Sequence, residues 1–185
     1  PVIHCRKGSI GYKLEWQGLS MIYTGDTKPE RVSIEQAKNG GRGVDVFIHE
    51  MVVPADVWAM QVMHLPKPLP PGVNRQWDDS VARTITVQDS SHTPQGAFGH
   101  LLSRIEPRPR LTVATHFPVS DDTVDCAMAS VRRHVPDIGP LGERLTFSFD
   151  RMVISAYAGG GIVQRRGEVL DFGSSPLPQI YSDEG

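Results

Sequence analysis

The stretch VDVFIHE, residues 44–50, decides the expected fold because it joins a compact apolar run to a polar end. Residues 44–48 are β-branched and aromatic over the length of one buried strand, and His49-Glu50 closes the run. Residues 111–114 form a second run of this kind and lead into Thr115-His116. Segments with helical spacing lie between such runs, and this alternation predicts an α/β fold with helices covering at least one face of a sheet.

Two strand pairs are predicted on either side of these runs. Alternation over residues 12–16, the turn Gln17-Gly18 and the apolar run 19–24 predict a β-hairpin. Residues 145–156 and 162–172 predict a strand pair or more, joined across the glycines at 159–161.

Three helices are predicted from capping residues and apolar spacing. One covers about 33–39, where Ser33 and Gln36 form a capping box. A second begins at Thr93, with Pro94 at its first helical position, and ends before Pro107. The third runs from about residue 120 to the residue before Pro136.

The segment 54–90 is predicted to be a Pro-rich insertion or flap. Residues 55–63 have helical character, whereas the prolines of residues 65–72 exclude both helix and central strand. Residues 173–185 are predicted to form a loose tail. The chain is thus expected to comprise one domain over residues 1–172, which contains the insertion, followed by this tail.

Composition limits the class of protein. The 185 residues suit one domain, and the net charge of −2 gives no general attraction to nucleic acid. No apolar run approaches the roughly 20 residues of a membrane-spanning helix. Cys5 and Cys126 are too few for a disulfide framework and no secretory signal opens the chain, so a reducing, cytoplasmic compartment is expected. The two cysteines are predicted to be buried. Because the chain opens at Pro1, we expect a processed product or part of a longer protein.

Three predicted strands end in side chains that bind metals or move protons. They lead into Asp26, into His49-Glu50 and into His116. The carboxyl ends of parallel strands meet at one edge of a sheet, so these side chains are expected to converge. His4 precedes the first strand and His92 precedes a helix, and both are further candidates. Imidazole combined with carboxylate suits zinc, manganese or iron.

Simpler interpretations stay open for some of these residues. Asp26 lies in Gly25-Asp26-Thr27, where aspartate commonly serves only to form a turn. His64, His100 and His134 close no strand and are assigned structural roles. The sequence contains no Gly-x-Ser-x-Gly, Gly-x-Gly-x-x-Gly or Cys-x-x-Cys, and His49-Glu50 lacks the second histidine of a zincin helix.

Taken in order, these residues resemble the later motifs of the metallo-β-lactamase-fold hydrolases. The similarity is carried by His4 ahead of GYKLEW at 11–16, then by YTGDT at 23–27, HE at 49–50, SHT at 91–93 and ATHF at 114–117. The branch that the chain resembles contains tRNase Z and related sulfatase-like and guanitoxin-biosynthesis-type enzymes. The resemblance implies the C-terminal half of the four-layer αββα sandwich of this family.

The resemblance also implies a role for each residue. Asp26 would bridge two divalent metal ions, zinc first and manganese or iron as alternatives, while His4 and His116 would each hold one of them. His92 would protonate the leaving group, and Glu50 would orient His92. The implied function is hydrolysis of an ester, phosphoester or sulfate ester by a metal-activated water.

The chain departs from the family at one motif. The family's His-x-His-x-Asp-His is missing, since the two closest histidines, His92 and His100, are eight residues apart. Only part of the metal site is therefore expected in this chain. A small-molecule substrate is preferred over RNA because of the net charge, and no membrane partner is expected. The alternatives are a tRNase Z-like RNA phosphodiesterase and a non-catalytic half-fold that binds a ligand or forms a homodimer.

Overall fold

The computed structural model describes residues 1–5, 7–64, 75–117 and 121–167. Its strands are β1 Tyr12–Trp16, β2 Leu19–Tyr23, β3 Val46–Glu50, β4 Leu111–Thr115, β5 Leu145–Phe147, β6 Met152–Ala156 and β7 Ile162–Arg166. Its α-helices are α1 Arg31–Lys38, α2 Ala55–Val62, α3 Arg75–Ser91, α4 Gln95–Ser103 and α5 Asp121–Arg132.

A mixed five-stranded sheet organises the domain, with the strand order β1-β2-β3-β4-β5. The β1–β2 pair is antiparallel, whereas β2, β3, β4 and β5 run parallel to one another. Strands β6 and β7 form a separate antiparallel pair. The predicted α/β class is confirmed, and the parallel strands bring several carboxyl ends to one edge of the sheet.

The two faces of the sheet bury different partners because strand side chains alternate. On β3, Phe47 belongs to the core that also contains buried residues of α1, α4 and α5. Val46 belongs instead to a smaller cluster, against which apolar side chains of β6 and β7 pack. The helices therefore cover one face, and the β6–β7 hairpin covers part of the other.

The predicted hairpins are both present. Gln17 and Gly18 connect β1 to β2 with φ values of 48° and 81°, which are the left-handed values that a tight two-residue turn requires. The predicted run 145–156 is interrupted, because β5 joins the main sheet whereas β6 pairs with β7. The residues between β5 and β6 consequently lie at the carboxyl edge of the main sheet. The sequence did not predict this position, because residues 145–156 were interpreted as one continuous strand region.

Two predicted helix starts are wrong, by about two residues for α1 and by one residue for α4. Helix α1 begins at Arg31, and the Ser33 hydroxyl donates to the Glu30 carboxylate at 3.2 Å instead of capping the helix. Helix α4 begins after Pro94, and the Thr93 hydroxyl donates to the carbonyl of Thr27 at 2.6 Å. In both cases the hydroxyl that was predicted to cap the helix donates its hydrogen bond to a different group.

The segment 54–90 contains more regular structure than predicted. Helix α2 confirms the helical character of residues 55–63, and it packs against α3, which was not predicted. Helix α3 exposes Ile85 and Val87 and buries Gln88, so it lacks the apolar stripe that would have indicated a helix. The prolines of 65–72 and the predicted tail at 173–185 lie outside the described residues. Within the described part of the chain, no helix combines the length and the apolarity needed to cross a bilayer.

Candidate functional site

Three parallel strands deliver polar side chains to the same edge of the sheet. Asp26 follows β2, Glu50 ends β3 and His116 follows β4. His4 comes from the N-terminal segment, which is held to the loop after β2 by a hydrogen bond of 2.8 Å from the Lys28 amide to the carbonyl of Ile3. Strand polarity therefore explains the convergence, as the sequence predicted.

The Asp26 carboxylate lies between two imidazoles. Its Oδ2 is 4.0 Å from Nε2 of His4 and 4.0 Å from Nε2 of His116. The side chain of Asp26 is 47% exposed, so its carboxylate faces the cleft. These contacts place the Asp26 carboxylate between two imidazole nitrogens, an arrangement that a turn-forming aspartate does not require.

His92 occupies the centre of the cluster, between α3 and α4. Its ring centroid is 5.4 Å from that of His4 and 5.3 Å from that of His116. Two sets of three residues place potential donor atoms within 4.8 Å of one another, namely His4, Asp26 and His92, and Glu50, His92 and His116. The five predicted site residues are thus brought together, and His92 is common to both sets.

Glu50 and His92 form a buried pair. The Glu50 side chain is fully buried, and its carboxylate accepts hydrogen bonds from Nδ1 of His92 at 2.7 Å and from the backbone amide of Thr27. The hydrogen bond to Glu50 raises the pKa of His92, the negative charges of Glu50 and Asp26 act in the same direction, and burial opposes them. Because Nδ1 is engaged by Glu50, Nε2 is the ring nitrogen left for a substrate or a metal.

His116 adopts an unusual backbone conformation at the end of β4. Its φ is +60°, in the left-handed region that non-glycine residues rarely occupy. Such conformations cost about 1 kcal/mol or more and occur preferentially at functional sites. Next to it, the end of β4 is bonded to the end of β3, since the Met51 amide donates to the Thr115 carbonyl at 2.9 Å.

No protein family model matches this chain, and no curated protein matches it either. Function must therefore be inferred from the chemistry of the cleft. The described donors are imidazole and carboxylate, which are ligands for zinc and for the other borderline divalent ions. In a tetrahedral site with bonds of about 2.1 Å, two donors of one ion lie about 3.4 Å apart. The 4.0 Å separations around Asp26 would therefore have to shorten slightly to hold a metal ion.

His49 is directed away from this cluster although it precedes Glu50. Its ring is completely buried, with the ring of Phe47 at 5.4 Å and the ring of Phe98 at 5.8 Å. Nδ1 donates to the Glu50 carbonyl at 2.7 Å, and Nε2 has no hydrogen-bond partner among the described residues. Burial in this apolar environment lowers the pKa of His49 to about 4.

The low pKa of His49 predicts a loss of stability in acid. In the unfolded chain this histidine has a pKa near 6.5 and is protonated below that pH, whereas in the folded state it stays neutral down to about pH 4. The free energy of unfolding should therefore fall as the pH is lowered from 6.5 to about 4. The expected loss is roughly 3 kcal/mol. Urea unfolding of the wild type and of His49→Asn, which keeps a donor at the Nδ1 position, measures it. A wild-type loss in this range no larger than that of the variant would contradict the assignment.

A cleft of about 470 Å³ opens beside His116. Aromatic and apolar side chains supply much of its wall, and its polar lining comes mainly from α2 and from the loop after β5; the lining residues are Val52, Val53, Trp58, Gln61, His116, Phe117, Ser148, Phe149 and Asp150. The Trp58 ring centroid is 5.6 Å from His92 and 6.5 Å from His116. The cleft therefore continues directly from the histidine cluster.

Sequence reasoning missed Trp58, Ser148 and Asp150 as site residues. Trp58 lies in the segment interpreted as an insertion. Its helical periodicity predicts a helix, but it does not predict that the Trp58 side chain lines the cleft. Ser148 and Asp150 follow β5, so the rule that located Asp26 and His116 would have found them had the strand been ended at Phe147.

The two cysteines do not occupy the positions predicted for them. Cys5 and Cys126 are both exposed, so the prediction of burial is wrong. The sulfur of Cys5 is 3.5 Å from Nδ1 of His4, so Cys5 lies beside the cluster. His64, His100 and His134 belong to neither of the two donor sets, and the rings of His100 and His134 contact each other at 5.8 Å.

Proposed function

We propose that this protein is a metal-dependent hydrolase of ester-type substrates, built on the C-terminal half of a metallo-β-lactamase-type four-layer sandwich. One observation supports the proposal above all others. Asp26 is flanked by His4 and His116 at 4.0 Å each, and the hydrogen-bonded pair of Glu50 and His92 lies beside them. A structural cluster would not be expected to gather three imidazoles and an exposed carboxylate at the rim of an open cleft.

Each ligand has a distinct role in the proposal. Asp26 would bridge two divalent ions, His4 would complete the coordination of one and His116 that of the other. Ions held by these residues would supply positive charge and a water of lowered pKa for the attack. The exposed face of Asp26 leaves room for a substrate, and the separate strands fix the ligands independently.

His92 would act on the leaving group. Its Nδ1 donates to Glu50, which fixes the ring plane and the tautomer and leaves Nε2 to carry the transferred proton. The raised pKa of His92 keeps the ring protonated to higher pH, as a general acid requires. Glu50 would act only through His92, and the Thr27 amide holds the second oxygen of its carboxylate.

A small molecule is the substrate that we propose. A cleft of about 470 Å³ lies within the range of roughly 300–1,000 Å³ that suits small ligands. Trp58, Phe117 and Phe149 would contact an apolar part of such a substrate, while Ser148 and Asp150 are available to hydrogen-bond a polar part. The net charge of −2 offers an RNA backbone no general attraction, which disfavours the tRNase Z-like alternative.

Metal binding by the 185-residue chain tests this proposal. Calorimetric titration with Zn²⁺ and Mn²⁺ should show weak, saturable binding, because affinity follows the number of preorganised ligands and only three are assigned. His116→Ala should abolish it by removing one ligand. The matched control His100→Ala removes an exposed histidine outside the cluster and should leave binding unchanged.

Three results would count against the proposal. Tight zinc binding that persists in His116→Ala would show that the ligands are assigned wrongly. An absence of binding at millimolar metal would favour the non-catalytic alternative. Salt-dependent binding of RNA by the chain would favour the RNA phosphodiesterase.

A further inference from the structure

Strand β1 forms an open edge of the main sheet. Among the described residues only β2 pairs with it, and all five of its residues are exposed. Trp16 and Leu19 flank the two-residue turn and therefore form a hydrogen-bonded pair. Hydrogen-bonded pairs alternate along the hairpin, so Leu14 and Tyr12 also bond to β2 through their backbone groups. The backbone groups of Lys13 and Glu15 consequently point outward from the sheet. An edge of this kind is a template for a further strand.

The side chains of β1 separate into an apolar face and a charged face. Tyr12, Leu14 and Trp16 share one face and are 60%, 55% and 67% exposed. Lys13 and Glu15 share the other face, where Lys13 Nζ is 3.0 Å from Glu15 and 2.8 Å from Oδ1 of Asn39. The edge thus carries no net charge that would repel another strand, whereas many edge strands avoid pairing by carrying charged side chains.

We propose that β1 pairs antiparallel with β1 of a second copy of this chain, about a two-fold axis at Leu14. Only residues with outward backbone groups can face each other in hydrogen-bonded pairs, which limits the symmetric registers to those centred on Lys13, Leu14 or Glu15. Centring on Lys13 places two lysines opposite each other, and centring on Glu15 places two glutamates opposite each other. Centring on Leu14 places Lys13 opposite the partner's Glu15 twice.

The apolar face supports the same register. Leu14 would face the partner's Leu14, and Trp16 would face the partner's Tyr12, which are aromatic and aliphatic pairs that stabilise antiparallel strands. An apolar groove of about 220 Å³ adjoins this face and is lined by residues that include Leu14, Trp16, Met21 and Ile154. The dimer would join two five-stranded sheets into one and bring the exposed apolar side chains of β1 into cross-strand contact. It is independent of the proposed hydrolase activity, since no residue of the metal cluster takes part.

Charge exchange on β1 tests the proposed dimer. Sedimentation equilibrium of the 185-residue chain should give twice the monomer mass. Lys13→Glu and Glu15→Lys should each raise the dimer dissociation constant roughly ten- to thirtyfold, because two cross-strand pairs become like-charged. An equimolar mixture of the two single variants, and the double exchange of both residues, should each restore tight association, because opposite charges face each other again.

The matched control is Arg133→Glu, which changes the net charge equally at an exposed position beyond α5 and should leave the dissociation constant unchanged. Circular dichroism of Lys13→Glu checks that loss of the contact with Asn39 does not unfold the hairpin. A monomer at millimolar concentration would overturn the proposal, and so would a dimer that is unaffected by either charge reversal. Failure of the mixed variants to associate would show that a different register or surface is used.

Discussion

Hydrolysis by the metal-loaded protein is expected to fall below detection when Asp26 is replaced by alanine. Asp26 Oδ2 is 4.0 Å from the imidazole nitrogens of both His4 and His116, so its removal separates the two ligand positions that it would bridge. The loss should be the same for a nitrophenyl ester and an alkyl ester, because it affects attack and not departure of the leaving group. Steady-state kinetics and the metal content of the purified variant measure the two effects.

The control for this variant is Asp125→Ala, which removes an exposed carboxylate on α5. Asp26 is itself 47% exposed, so Asp26→Ala should change the free energy of unfolding by only about 0.5 kcal/mol. Loss of activity therefore could not be attributed to unfolding. Normal metal content and activity in Asp26→Ala would refute its assignment as the bridging ligand.

Replacing His92 should affect substrates unequally. A general acid matters most when the leaving oxygen is a poor one, so His92→Ala should slow hydrolysis of an alkyl ester or alkyl phosphodiester by roughly 10²–10⁴-fold. A nitrophenyl substrate departs without much protonation and should be affected far less. The ratio of kcat/KM for the two substrates is the measurement, because it separates an acid from a residue that only binds.

A second variant guards against an indirect effect. His92→Ala leaves the fully buried Glu50 carboxylate without its 2.7 Å partner, which is destabilising. His92→Asn keeps a donor toward Glu50 but cannot deliver a proton, so it should reproduce the unequal slowing in a better folded protein. Equal losses on both substrates, together with loss of metal, would identify His92 as a ligand instead.

The parallel strands and their polar ends were predictable because they depend on local sequence. The apolar runs ending near Asp26, Glu50 and His116 are long enough to specify buried strands, and the direction of parallel strands then places their ends together. The pairing of Glu50 with His92 was expected only from the family resemblance, since the two residues are distant in sequence and spacing alone does not join them.

The features that were missed depend on tertiary contacts. Helix α3 buries Gln88, whose side chain donates to the Val53 carbonyl at 2.8 Å, so its packing is not visible as an apolar stripe. The Thr93 hydroxyl bonds the loop after β2 in preference to its own helix, which shifts the start of α4. Trp58 lines the cleft because of the way α2 packs, and the spacing of apolar residues in the sequence does not predict which surface Trp58 contacts.

The left-handed backbone at His116 has a consequence for how this sequence can vary. Glycine or asparagine occupies such a conformation more readily than histidine, so selection for stability alone would favour one of them directly after β4. Replacing His116 by glycine or asparagine is therefore expected to stabilise the fold while it removes the imidazole. If His116 holds a metal ion as proposed, one substitution at this position would raise the free energy of unfolding and lower the activity together.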